Sequence, residues 1–494
     1  MEINKFGFTQ NQVKKINEMC NALFTANVET IIFDEDLSAT SLLCLSARYF
    51  MEKDIRCKKI MCRMIKNNTI TFTTKIAIFF QLSAWQFRYN EIDDLNLREI
   101  YAFLANQVKK ECETAKLRPI TKEDLNRNTI VCITTQFLGL HHSPTKLLLK
   151  LIKSINDNFK EIDSIYIFNS VESLTEADEL FINPTILSYI DHNAETIEYV
   201  LGKEQIDRCG IGYDTSGPEP ITLNRLNDLA KEIYEIKPKY IFSIGGECLL
   251  AEICNNFSDV FTISLSNDVP ISECKYLVVG NANHKVEEIK LNSQQVLLKR
   301  PFAFDVFKEM ERIKYTRKEH GLSEEDFLIS VVGNRLNEDV TDDFLDLCIK
   351  LVENHSKVGI VFIGRYNELY YESKVKDELK SHFYTIGLKE DIISAIQLTN
   401  VYLNPKRLGG GYSSIAAMEA GVPVISTPLG DVGMYINDAF KCKDYEEMYM
   451  KVAEMIEDKS SYKESCRKTI EWFNQFNEDS NKILIQYIED SLRD

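Results

Sequence analysis

The sequence predicts an α/β protein of two Rossmann-like domains facing a cleft, preceded by a mostly helical α+β extension. Three observations predict it. From Asn128 onward, short apolar runs (TIVCITT, SIYIFN, KYIFSIGG, VFTISL) alternate with amphipathic helical runs, as a parallel sheet requires. Around residues 292–326 that alternation breaks off and begins again at LISVVGNRL, so it occurs in two blocks. Ahead of both blocks, NQVKKINEMCNALF and LREIYAFLANQVKKECETA carry apolar residues at a period of about 3.6. The expected segments are therefore an extension over 1–125, a first Rossmann-like domain over 126–295 and a second over 296–494.

Composition narrows the classes of function. A chain of 494 residues with 44% hydrophobic and 27% charged residues is ordinary for a globular protein with ample core. A net charge of −17 argues against nucleic acid as a general partner and gives no support for docking on an anionic membrane through a basic face, though it leaves room for a local basic patch. No run approaches the length of a transmembrane helix, and MEINKFGFTQ lacks a secretory hydrophobic region, so a cytoplasmic protein is expected. The 13 cysteines show no C-x-x-C pair, and several, such as Cys132, sit inside apolar runs. They read as buried reduced thiols, with no metal site expected.

Within the extension, TIIFD and TITFTTKIAIFF look strand-like, which makes it a mixed α+β module. It carries no catalytic motif. The first Rossmann-like block opens with the strand NTIVCITT, the loop GLHHSPTK and a helix beginning near Pro144. Strands follow at 164–169, 239–246 and 260–265. Gly245 and Gly246 stand at a strand's C-terminal end with a helix directly after, where open α/β sheets bind ligands. In the second block, LISVVGNRL, VGIVFIG (358–364) and HFYTIGL (382–388) are the first strands, and amphipathic helices at 443–458 and 461–491 close the chain.

The richest stretch runs from Val401 to Thr427. An apolar run, Val401 to Leu403, meets a turn at Asn404-Pro405. Gly409, Gly410 and Gly411 follow, then Tyr412, Ser413 and Ser414 at the mouth of an Ala-rich helix that stops at Gly421 before the strand VPVI. Glycines let a backbone approach a ligand closely, and a helix start points N–H groups and a positive dipole end outward. With Lys406 and Arg407 at the lip, the pattern reads as an anion site, and a diphosphate suits it. Packing alone would also account for such a turn.

This stretch resembles the nucleotide-binding segment of glycosyltransferases with the GT-B fold. Retaining members of that family place one glutamate just before the glycines and another five residues ahead of the G-x-P-V glycine. Here those positions are Leu408 and Ala416. Glu419, on the same helix face and roughly 5 Å further along, is the substitute that would reach a ribose hydroxyl. The form Gly-Gly-Gly-x-Ser-Ser is similar to the hydroxyl-bearing loop of O-GlcNAc-transferase-like enzymes, and His142, Pro144 and Thr145 are similar to their His-Pro-Thr loop with one residue inserted. The resemblance implies that Arg335, just past a strand end, holds donor phosphates. The lysine the family carries five residues later is Val340 here, leaving Lys406 or Arg407 to supply the second charge. An ion pair between Arg335 and the acidic run Glu338, Asp339, Asp342 and Asp343 is the alternative. The loops at Gly364-Arg365 and Ile386-Gly387-Leu388 would meet base and ribose through their backbone.

For the chemistry, His141 or His142, with the neutral-range pKa of imidazole, would take the acceptor's proton or bond the donor phosphate; capping the helix is the other role open to one ring. Glu247 either acts directly from the first block or complements a helix N-terminus. The resemblance implies sugar transfer from a nucleotide diphosphate sugar, UDP-linked, to a hydroxyl on a protein, glycan or lipid-linked glycan, with the sugar nucleotide as co-substrate and no cofactor or metal. The extension would then dock acceptor or a second subunit. The missing glutamates leave open a non-catalytic GT-B-like subunit that stabilises a partner transferase or binds a glycan, and a sugar-nucleotide epimerase is a third reading.

Overall fold

The computed structural model describes residues 8–89, 95–137, 142–172, 212–215, 221–265, 269–280, 291–300, 312–367, 371, 373–476 and 480–492. The chain forms two compact units, Met1–Arg300 and Pro301–Asp494. The segments expected as extension and first Rossmann-like domain lie together in the first unit.

The first unit begins with five helices: α1 (Gln10–Thr25), α2 (Glu35–Glu52), α3 (Ile55–Lys66), α4 (Phe72–Tyr89) and α5 (Leu97–Glu111). Their starts follow from short polar side chains. Thr9 and Gln12 form a capping box on α1, Asp34 caps α2, and Asp54 caps α3. Two expectations are corrected here. TIIFD forms no strand among the described residues, and most of TITFTTKIAIFF belongs to α4. Its β-branched and aromatic residues favour strands, but Ile76, Ile78, Phe79, Phe80, Leu82 and Trp85 are all buried in a helical layer, and that packing overrides propensity. The start signal was local: Thr71 Oγ1 accepts from the N–H of Thr74 at 3.2 Å.

After this layer come β1 (Asn126–Thr134), α6 (Ser143–Asn158), β2 (Ser164–Asn169), β3 (Gly212–Thr215), α7 (Leu223–Ile236), β4 (Pro238–Ile244), α8 (Leu249–Cys254), β5 (Val260–Ile263), β6 (Tyr276–Gly280) and β7 (Val296–Arg300). The strands pair in parallel in the order β3-β2-β1-β4-β5-β6-β7. β3, β6 and β7 were not read from the sequence.

The helical layer and the sheet share one core. Residues of α1–α5 pack in the same cluster as Leu226, Leu229 and Ile233 of α7, Leu250 and Ile253 of α8, and Val131 and Ile133 of β1. A fully buried carboxylate, Glu252 on α8, joins them. It accepts from Tyr101 Oη on α5 (3.2 Å), Ser272 Oγ (2.8 Å) and the Glu273 N–H (2.7 Å), and Lys109 Nζ lies 3.2 Å away.

The second unit contains β8 (Phe327–Gly333), α9 (Leu336–Asp339), α10 (Asp342–Asn354), β9 (Val358–Gly364), β10 (Phe383–Thr385), α11 (Ile392–Ile396), β11 (Val401–Leu403), α12 (Gly411–Glu419), β12 (Val424–Ile425), α13 (Gly430–Tyr435), α14 (Tyr445–Glu457), α15 (Lys459–Gln475) and α16 (Ser480–Leu492). Its sheet is parallel, in the order β10-β9-β8-β11-β12. The single helix expected over 461–491 is two, α15 and α16. Among the described residues no helix is long and apolar enough to cross a membrane, and the described cysteines form no disulfide.

A chain starting at residue 126 would expose the faces of α7 and α8 that the helical layer covers, so a 126–300 fragment is expected to be insoluble. A soluble fragment with a dispersed NMR spectrum would contradict the shared core. In the full chain, Glu252→Ala leaves Lys109 and three other donors without their acceptor and is expected to cost about 3–5 kcal/mol in urea unfolding.

Candidate active site

In the second sheet β9 and β10 lie to one side of β8, and β11 and β12 to the other. Ligands of open α/β sheets bind outside the carboxyl ends of the strands at such a reversal of strand order. Two segments leave the strand ends there: the Asn334–Arg335 turn after β8, and Asn404–Gly410 after β11.

Arg407 ties them together. The residue is 4% exposed. Nε donates to Asn404 Oδ1 (2.9 Å), Nη1 to Asp339 Oδ2 (2.9 Å), and Nη2 to the Val332 carbonyl and the Tyr402 hydroxyl (2.7 Å each). Tyr402 Oη in turn lies 3.1 Å from Asn404 Oδ1, and Asn404 Nδ2 donates to Ser426 Oγ at 3.0 Å. The ends of β8, β11 and β12 are thus joined by one polar network. Arg407 was expected at the lip, facing a phosphate. Instead it faces inward, because a buried cation needs a counter-charge and acceptors, and this pocket supplies both. Asp339, which the sequence offered to Arg335, is its partner.

The glycines serve this packing. Gly410 has φ 101°, and a Cβ there would stand 2.7 Å from Arg407 Nη2. A Cβ on Gly333 would stand 2.6 Å from Nη1. The guanidinium therefore fits only between two residues that lack side chains. Gly409 and Gly411 are buried beside them.

α12 starts at Gly411, with Gly410 as its N-cap residue. The first-turn N–H groups of a helix have no acceptor within the helix, and those of Gly411, Tyr412 and Ser413 occupy that turn. The serines differ: Ser414 is fully buried and its hydroxyl donates to the Gly411 carbonyl (2.7 Å), whereas Ser413 is half-buried. Burial, reinforced by the charge of Glu419, pushes the Tyr412 hydroxyl up to about 12. Arg335, half-buried, is the N-cap residue of α9, while Lys406 is exposed with its Nζ 4.8 Å from the Tyr445 ring centroid. Glu419, expected to reach a ribose, is engaged by Arg312, whose Nη2 donates to its Oε1 at 2.6 Å. Ala416 and Val340 pack in the core. Arg365 is exposed after β9.

The first sheet reverses its order between β1 and β4. His141, in the loop after β1, lies outside the described residues. His142 is the N-cap residue of α6, but its ring makes no capping bond; Nδ1 lies 3.0 Å from Thr145 Oγ1. A pKa near neutrality was expected for it. Burial lowers it to about 4, so the ring is neutral at physiological pH.

After β4, Glu247 adopts φ 58°, a left-handed conformation costly for a residue with a side chain. Its N–H donates to the Ile271 carbonyl at 2.6 Å. It does not cap the helix that follows. Glu172 does, accepting from the N–H groups of Leu249 (2.7 Å) and Leu250 (3.1 Å). The Glu247 carboxylate turns to α4, where Ser83 Oγ lies 3.0 and 2.9 Å from its two oxygens. Burial pushes its pKa up to about 7, opposed by the Ser83 bond and the charge of Arg98. Ser83 and Glu172 escaped the sequence reading because they lie 164 and 77 residues from their partners, with no motif to link them.

Residues 312–472 match the family of glycosyl transferases group 1. The second unit carries a glycosyltransferase domain. Over the whole chain the architecture is that of GT-B enzymes. A mutant of the Thermobaculum terrenum O-GlcNAc transferase superposes with a TM-score of 0.56 at 11% identity, covering 98% of each chain. A glycosyltransferase from Rickettsia africae superposes with a TM-score of 0.50 at 12% identity, over 74% of this chain and 97% of that one. No curated protein matches by sequence.

Replacing Arg407 by Met would leave the Asp339 carboxylate buried without its cation. It is expected to cost about 3–5 kcal/mol in chemical unfolding of the full chain. Gly410→Ala, which drives a Cβ into the guanidinium, should destabilise too, by about 1–3 kcal/mol. Wild-type stability in both would show that the network is not what holds the loop.

Proposed function

We propose that this protein transfers a hexosyl or N-acetylhexosaminyl group from a UDP-linked sugar to a hydroxyl on a protein, glycan or lipid-linked glycan. The observation that carries the reading is the first turn of α12 standing beside the Arg335 turn at the reversal point of the second sheet. The O-GlcNAc transferase likeness makes UDP-GlcNAc the first donor to test.

The chemistry follows from charge. As the sugar's C1–O bond breaks, the diphosphate leaves with the electron pair. In this reading helix N–H groups, the α12 dipole, Arg335 and Lys406 would stabilise that charge without a divalent ion. The acceptor hydroxyl must lose a proton, and a base whose pKa lies near the working pH does this best. Glu247 meets that condition, while His142 is too weakly basic and suits a neutral hydrogen-bonding role. The absence of disulfides among the described cysteines fits a reducing, cytoplasmic setting. The second reading, a non-catalytic partner subunit, is favoured by one observation: Leu408 and Ala416 occupy the two glutamate positions of retaining enzymes.

Calorimetry with UDP and with uridine tests the donor site. Arg335→Ala is expected to weaken UDP by about tenfold or more while leaving uridine within about twofold, because only the phosphates gain from its charge. Unchanged UDP affinity would remove Arg335 from the site. UDP release from UDP-GlcNAc should persist in EDTA. Activity abolished by EDTA and restored by Mn²⁺ would overturn the metal-free mechanism, and UDP binding without turnover of any sugar nucleotide would favour the subunit reading.

A further inference from the structure

Two side chains of the helical layer reach the loops around Glu247. Ser83, on α4, meets the carboxylate itself. Arg98, on α5, donates to the carbonyl of Val269, two residues before the Ile271 carbonyl that accepts the Glu247 N–H. We propose that Ser83 is a positioning residue for Glu247: its hydroxyl orients the carboxylate and favours the ionised form that accepts a proton from the acceptor hydroxyl. The helical layer would then take part in acceptor activation. This rests on the transferase reading above.

The backbone is the first support. Glu247 holds a left-handed conformation after Gly245 and Gly246, and a Cβ on Gly246 would stand 2.5 Å from the Ile271 carbonyl oxygen. Such a conformation persists only where surrounding contacts over-determine it, and it is found at functional sites more than elsewhere. Here it aims the carboxylate away from the start of α8, which Glu172 already caps, and toward α4.

Bond geometry is the second. Ser83 Oγ is nearly equidistant from Oε1 and Oε2, at 3.0 and 2.9 Å, so one hydroxyl fixes the direction of the whole carboxylate.

The third is electrostatic. Among the described neighbours Arg98 supplies positive charge. Cys248, next in the chain, is pushed well up by burial and stays a neutral thiol. Glu252, further along α8, is engaged by Lys109, Tyr101 and Ser272. Burial favours the protonated acid, while Ser83 and Arg98 favour the carboxylate, and the balance falls at about 7. Removing the Ser83 hydroxyl should move that balance upward.

In the reaction, the acceptor oxygen bonds to C1 of the sugar as the C1–O bond to the diphosphate breaks. The diphosphate keeps the electron pair, and the acceptor's proton passes to Glu247, which returns it to solvent.

The test uses full-length protein carrying Ser83→Ala, Ser83→Thr or Glu247→Gln. The Glu247 titration is followed by carboxyl ¹³C NMR and by urea unfolding against pH. Its folded pKa lies above the unfolded value of about 4.3, so the folded state binds more protons between the two. Stability contributed by the protonated acid is present below the unfolded value and lost as pH rises toward about 7. Glu247→Gln should flatten that fall. Ser83→Ala is expected to raise the titration midpoint by about 0.5–1 pH unit, and Ser83→Thr to restore it. UDP release from UDP-GlcNAc should show its acid limb displaced upward by the same amount, with kcat about 2–6-fold lower at pH 7 but recovering at higher pH, and donor KM unchanged. A midpoint that does not move in Ser83→Ala, or that Ser83→Thr fails to restore, overturns the proposal. So does a moved midpoint with an unmoved acid limb. A midpoint that moves in Ser83→Ala, while the wild-type protein releases no UDP, overturns the transferase reading and leaves the coupling of Ser83 to Glu247 supported.

Discussion

The buried guanidinium of Arg407 is the constraint on which the second unit's strand ends depend. It bonds the last turn of β8, the residues after β11 and the short helix that follows β8, so each loop is fixed relative to the others. A cation in such a place is tolerated only when paired and fully hydrogen-bonded, and breaking the pair is far more costly than never having made it. Asp339 must therefore be at the end of α9, Tyr402 within β11 and Asn404 after it. Gly333 and Gly410 must lack side chains to leave the guanidinium room. The loop that leads into α12 is held in place for this reason, and the proposed function relies on it, since pre-positioned donors are what stabilise a developing charge.

Three glutamates in the first unit show how burial sorts one side chain into different roles. Glu252 and Glu172 are both fully buried. One joins the helical layer to the sheet; the other caps α8 from a remote segment. Glu247 is bonded by the Ser83 hydroxyl, which offsets desolvation only in part, and its pKa rises to about 7. Perturbed carboxylates with few partners, at the reversal point of a parallel sheet, are where proton transfer is sought. The same fold element that looks like an appendage in the sequence supplies that partner.

The fold and the family match bear on function in different ways. The architecture extends over the whole chain, but at 11–12% identity it shows the fold alone, and one fold can carry many functions. The group 1 match is confined to residues 312–472, where the glycine loop and Arg335 lie. Function must be argued from those residues and from Glu247, each by its chemistry. The exchange of both family glutamates for Leu408 and Ala416 is the feature that makes activity worth measuring directly.

The sequence by itself determined the two parallel sheets, because strands buried on both faces read as continuous apolar runs: SIYIFN and VGIVFIG match β2 and β9 residue for residue. It also read a helix opening at Ser413 and Ser414 after the glycines, two residues from the observed start at Gly411, since glycines followed by an Ala-rich run have a local meaning. Local signals end there. Arg407 was legible as a cation beside the glycines, yet whether it faces ligand or protein depended on Asp339, 68 residues away. TITFTTKIAIFF was legible as apolar but became a helix, because a buried helix and a buried strand share that composition and only the neighbouring layer decides. His142 was legible as a histidine, and burial, not its identity, made it neutral. Glu247 was legible as a carboxylate after two glycines, but only the tertiary structure brought Glu172 to the helix start and Ser83 to the Glu247 carboxylate. Periodicity and turn chemistry act between near neighbours along the chain; desolvation and long-range pairing act through space, and those fix what each site residue can do.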